Sequence, residues 1–157
     1  MKLEGSWKVS FDTTWGGPNS ASFDTLMSWT ARPESSVKYF SGEAIYKKTF
    51  DLPPNPSVKK RICLNLGSVK NVAEVWLNGK NLGVVWCEPY QVDITDAVKP
   101  AGNNLEIKVV NLWHNRLTGD ARLPNEQRIT KTNIVMNPDD GLLNSGLLGP
   151  VTVLIAD

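Results

Sequence analysis

The sequence has little of what catalytic, metal-binding and membrane proteins are built from. Its 157 residues hold two cysteines, Cys63 and Cys87, and one histidine, His114. Two cysteines permit one bridge and no CxxC spacing occurs, so both are expected as free, partly buried thiols in strands, with a single disulfide as the alternative. One histidine cannot build a zinc site, and no Ser–His–Asp order accompanies it. No run approaches the roughly 18 apolar residues of a membrane span. The first turns of sequence after Met1 lack the apolar core of a signal peptide, so Met1 opens either a cytosolic chain or a piece of a longer one. With 17 Lys+Arg against 16 Asp+Glu there is no basic excess to track phosphates, and nucleic acid is not an expected partner. Helical periodicity is also missing: no segment sustains it over three turns.

What the chain does have is period-two alternation broken by Gly, Pro and Asn turns. Trp7, Val9 and Phe11 alternate, as do Ala44, Tyr46, Phe50 and Leu52 on a face that Lys48 interrupts. Pro53-Pro54 ends that strand because proline cannot feed a ladder. Ile62, Leu64 and Leu66 form the next run, stopped by Gly67. Ala73, Val75 and Leu77 precede Asn78-Gly79, and Leu82, Val84 and Trp86 follow it. Asn-Gly between alternating runs predicts a hairpin, since a type I′ turn needs positive φ twice. Trp86 falls in phase with Leu82 and Val84 and is expected in the core.

Further strands are predicted at Tyr90–Ile94, Leu105–Val109 and Val151–Ile155, with a helical turn at 93–98 capped by Thr95 or Asp96. Many short strands argue for one β-sandwich or barrel domain over residues 1–157. Two stretches stay irregular, about 13–41 and 113–149, and long irregular segments are often functional or packed on a neighbour.

Several of these runs resemble a known domain. Gly42-Glu43-Ala44-Ile45-Tyr46-Lys47-Lys48-Thr49-Phe50 is similar to the G-x-A-x-Y-[RK]-[RK]-x-F strand of glycoside hydrolase family 2 type sugar-binding domains. The stretch from Ala73 to Gly83 resembles their A-x-V-W-L-N-G-x-x-[LV]-G, and Pro89 to Asp96 their P-[FY]-x-[VF]-D-[IV]-T-D. Asn103-Asn104-Leu105-Glu106-Ile107 resembles N-x-L-x-[IV]. The four stand in order over about residues 42–112. The tail, Asn111 to Asp120 with Ser145 to Val151, is similar to the C-terminal module of bacterial α-L-rhamnosidase-like hydrolases (family 106).

The resemblance implies an all-β, antiparallel jelly-roll β-sandwich of the galactose-binding-domain-like type. It also implies a non-catalytic accessory module, excised from a larger glycoside hydrolase that is secreted or periplasmic. The catalytic domain of the same parent chain is then the expected partner, with an oligo- or polysaccharide as a further one. The alternatives are a stand-alone carbohydrate-binding protein and a small glycosidase using loop carboxylates.

The candidate sugar-contact residues are Trp76, Trp113, Asn115, Arg116 and Asp120. Trp76 points away from the core-facing Val75 and Leu77, where it can stack on a sugar ring or be covered by a neighbouring domain. Asn115 and Arg116 can form paired hydrogen bonds to hydroxyls or a carboxylate, or Arg116 can pair with Asp120 to pin the long loop. Catalysis by this chain needs two carboxylates about 5–10 Å apart. Asp120, Glu126, Asp139 and Asp140 are the candidates, and Asp139-Asp140 reads as a turn. No cofactor is expected except, by resemblance, a structural calcium ion. It needs about six to eight oxygens, to which Asp93 and Asp96 are the weak candidates.

Overall fold

The computed structural model describes residues 1–53 and 61–155. Among these residues, eleven strands form a sandwich. The larger layer is antiparallel, in the order β2-β1-β3-β9-β6-β7. It comprises β1 (Trp7–Phe11), β2 (Ala21–Phe23), β3 (Glu43–Phe50), β6 (Val72–Leu77), β7 (Lys80–Val85) and β9 (Asn103–Val110). Facing it are β11-β4-β8 and β10-β5, built from β4 (Ile62–Asn65), β5 (Ser68–Lys70), β8 (Gln91–Asp93), β10 (Gly146–Gly149) and β11 (Thr152–Ile155). β4 and β5 follow each other across Gly67, and β10 and β11 across Gly149-Pro150. The two breaks touch: a Cβ on Gly67 would stand 2.4 Å from the Gly149 carbonyl carbon. That approach requires glycine at Gly67.

The core is where the alternation puts it. Val9, Ala44, Tyr46, Leu64, Leu66, Ala73, Val75, Leu77, Ile107 and Val109 are fully buried. β3 and β9 pair over their whole length, from Glu43↔Val110 to Phe50↔Asn103. The predicted hairpin is present, with φ 53° at Asn78 and 82° at Gly79. Pro54 lies outside the described residues, and Pro53 follows the end of β3 as expected.

β7 corrects the sequence reading. Its partners run Leu77↔Lys80, Trp76↔Asn81, then Val75↔Gly83, which leaves Leu82 as an extra residue in a β-bulge. Gly83 supports the bulge at φ 97°. A one-residue insertion inverts every later side chain. Val85 therefore packs against the core opposite Ala73, Val84 turns out opposite Glu74, and Trp86 is 71% exposed rather than buried. Cys87 lies beyond the strand and is exposed, while Cys63 is buried in β4; both are free.

The turn after β8 is also capped differently from the expectation. Asp93 Oδ1, not Thr95 or Asp96, accepts from the Thr95 amide (3.0 Å) and hydroxyl (2.6 Å). Neither irregular stretch is wholly irregular. Residues 13–41 contain β2 and the short helix α1 (Ser35–Lys38), and residues 113–149 begin with α2 (His114–Ala121). No helix among the described residues is long and apolar enough to cross a membrane.

Candidate functional site

Where β9 ends, its inward phase continues by one residue to Asn111. The Asn111 amide bridges three segments: Oδ1 accepts from Gly42 N–H (2.9 Å), and Nδ2 donates to Phe40 O and Ser145 Oγ (both 3.0 Å). At the start of α2, Asn115 repeats the pattern. It accepts from Leu143 N–H (2.8 Å) and donates to Leu143 O (2.7 Å) and Ser145 Oγ (2.8 Å). Ser145 Oγ in turn donates to Leu143 O (3.0 Å). His114 Nε2 meets the Gly141 carbonyl at 2.8 Å. These bonds staple the return of the 122–145 segment, hereafter the arm, onto α2.

Arg116 and Asp120 lie one helical turn apart, with side chains 6% and 4% exposed and Nη1 3.8 Å from Oδ1. Asp120 Oδ2 accepts from the Thr130 amide (2.7 Å) and hydroxyl (2.5 Å), fixing the middle of the arm. Burial draws the Arg116 guanidinium below its ordinary proton affinity, and the Asp120 charge opposes that shift. Arg116 Nε and Nη2 have no hydrogen-bond partner among the described residues, nor have Thr118 Oγ1 and Asp120 Oδ1. The helix can sit this close because of Gly119, where a Cβ would lie 2.7 Å from Tyr39 Cβ. Asn115, Arg116 and Asp120 are thus brought together, but as an internal clamp. Trp113 alone of that group is exposed, at 49%.

Trp113 meets a residue the sequence reading did not single out. Trp15 stands edge-to-face with it, centroids 4.9 Å apart. The two line a cleft of about 360 Å³ with Leu117, Ile134 and the 130–132 stretch. No carboxylate among the described residues lines it. Glu126, Asp139 and Asp140 lie elsewhere on the arm, Asp139 in a turn whose amide donates to Asn137 Oδ1. A separate groove of about 540 Å³ does contain Glu4 and Asp24. Glu4 is 78% exposed beside Lys2, and Asp24 accepts from Ser6, so neither has the enclosing shell that catalytic geometry needs. Trp76 is 36% exposed on the outer face of β6, away from the clamp and the cleft.

Asp93, named with Asp96 as a calcium candidate, is engaged by neighbouring side chains. Asp93 Oδ1 accepts from Thr95, and its Oδ2 accepts from Arg61 Nε–H at 2.7 Å. No group of three or more His, Cys, Asp or Glu side chains suited to a metal occurs among the described residues. The Thr95 hydroxyl and amide, then Arg61, pull the Asp93 carboxyl down to about 2. A depressed carboxyl stabilises the fold above its unfolded value and loses that contribution as pH falls. Asp93→Asn is therefore expected to flatten the acid limb of stability between about pH 4 and 2, read by urea midpoints across that range. An unchanged limb would show the Thr95 and Arg61 contacts to be inconsequential.

Residues 29–138 match the family described as glycosyl hydrolase 2 galactose-binding domain-like. The chain belongs to that family. Over 98% of its length it is 39% identical to a protein of Formosa agariphila named "Putative beta-glucuronidase", of which it covers 15%. The structure of a rhamnosidase from Novosphingobium sp. PP1Y superimposes at a TM-score of 0.90, with 38% identity over 98% of this chain and 14% of that one. A Ruminococcus gnavus beta-glucuronidase matches 71% of the chain at a TM-score of 0.59 and 25% identity. The galactose-binding-like fold thus recurs here as a small part of much longer glycoside hydrolases.

Proposed function

We propose that the chain is a non-catalytic accessory module of an α-L-rhamnosidase-like glycoside hydrolase, exported to degrade polysaccharide, and that its first role is structural. The observation that carries this reading is the clamp: the densest polar cluster is buried and holds the arm, which supports a structural role for it over substrate contact. The match to a rhamnosidase across nearly the whole domain supports the choice of parent. The pure 157-residue chain is expected to turn over no aryl α-L-rhamnoside, galactoside or β-D-glucuronide. Turnover abolished by Asp120→Asn or Glu126→Gln would contradict the reading.

Sugar contact is a second reading, favoured by the Trp15–Trp113 cleft. Exposed indole next to threonines and Lys131 suits a pyranose ring, whose apolar face stacks on aromatics. Titration with rhamnose- and uronate-containing oligosaccharides tests it: saturable binding lost in Trp113→Ala supports contact, and no binding removes it.

A further inference from the structure

The two ends of the sandwich differ in kind. One end carries the Asn78-Gly79 turn and the connection around Asn103, and it is internally satisfied. Asn78 Nδ2 donates to Ala97 O (2.8 Å) and Asn103 Oδ1 (2.9 Å), and its Oδ1 accepts from Asn104 N–H (2.9 Å). Asn103 Nδ2 caps Lys99 O (2.7 Å), and Gly102 N–H is held by Asp51 (2.7 Å).

At the other end the strand register gathers apolar side chains that no described residue covers. Val72 opens β6 directly opposite Val110, which closes β9. Trp86 follows β7 beside them, and Leu112 and Trp113 leave β9 for α2. All five are exposed, at 36% to 71%. The arm returns over the same end: Ile134 lines the cleft with Trp113, and Ile129 lies against Gly16 beside Trp15. Ten of the 15 exposed large hydrophobic side chains among the described residues lie on this end or on the arm, including Val135 at 94%. Scattered exposed hydrophobics are ordinary, but concentration at one end marks an interaction surface. The clamp sharpens the contrast, since buried ionic and amide contacts hold the arm in place while its apolar side chains point outward.

We infer that this apolar end, formed by Trp86, Val72, Val110 and Trp113 and extended by the arm, is the surface on which the module docks against the catalytic part of its parent hydrolase. The inference rests on the accessory-module reading. The choice of occupant follows from length: the two relatives matched over 98% of this chain are about seven times as long, so most of each is protein outside the module. The surface fits such a neighbour, with tryptophans at its centre and Arg122, Arg128 and Lys131 as a basic rim on the arm.

Hydrogen exchange on the 157-residue chain alone and on the same residues within the full parent hydrolase tests this. Amides at 110–113, 84–87 and 128–136 are expected to slow at least about tenfold in the parent, while those at 77–81 and 101–104 keep their rates. Trp86→Ser is expected to leave the thermal midpoint of the isolated chain unchanged and to lower that of the parent. Equal rates at both ends, or protection at the Asn78 end, would overturn the docking surface while leaving the accessory reading intact. A gene encoding no catalytic part beside this chain would overturn both. Concentration-dependent protection of the same end in the isolated chain would replace the proposed occupant with a second copy.

Discussion

Asp120→Ala is expected to destabilise the domain by about 3–5 kcal/mol, because it leaves the Arg116 guanidinium buried without a counter-charge. It also removes the acceptor for the Thr130 amide and hydroxyl, so the arm loses its middle anchor. For a domain of this size the Tm should fall by about 10 °C. The cost belongs to the broken pair rather than to the pair's net worth. Replacing both partners, Arg116→Met with Asp120→Leu, is therefore expected to be milder than Asp120→Ala alone. Equal losses in the single and double variants, measured by urea unfolding, would mean that the two charges are not coupled.

Tyr46→Phe is expected to cost about 2–4 kcal/mol although only one oxygen is removed. That hydroxyl accepts from Trp29 Nε1–H and, at 3.2 Å, from the Leu147 amide, all in the fully buried core. Two buried donors are left without an acceptor, and an unmet buried donor costs about 1–3 kcal/mol. The bonds join β3, β10 and the segment before α1, so the loss should loosen residues 13–41 as well. Burial, partly offset by the two donated hydrogen bonds, pushes the Tyr46 phenol up to about 12. A raised value means stability that is complete below about pH 10 and lost as pH climbs toward 12, where the unfolded phenol ionises first. In Tyr46→Phe that part of the alkaline loss should vanish. A cost under about 1 kcal/mol would contradict the two-donor account.

The strands were legible because one face of each is buried and the other is not. Leu105, Ile107 and Val109 carry that signal plainly, and Asn78-Gly79 carries its turn. Trp86 departs from the alternation because the bulge at Gly83, the one residue in the strand that signals it, shifts the phase of everything after it. α2 escaped detection for a different reason. Its inward face is Asn115, Arg116, Thr118, Gly119 and Asp120, so no apolar period marks it.

The clamp was partly legible, since an Arg116–Asp120 pair pinning the loop is the alternative that spacing allows. The part played by Ser145 and Leu143 was not, because it depends on contacts about thirty residues away. Asn111 offered a usable signal: a polar residue at the inward phase after Val109 needs a buried partner. Trp15 offered none, since only the folded chain sets it beside Trp113.

On the proposed reading, the Arg116–Asp120 cluster holds the arm and takes no part in chemistry. Asp120→Asn in the full parent hydrolase tests it most directly, with Tm and kcat/KM measured on the same preparation. A lowered Tm with kcat/KM unchanged for the folded enzyme is the expected result. An unchanged Tm with kcat/KM collapsed would contradict the account and make Asp120 a catalytic carboxylate.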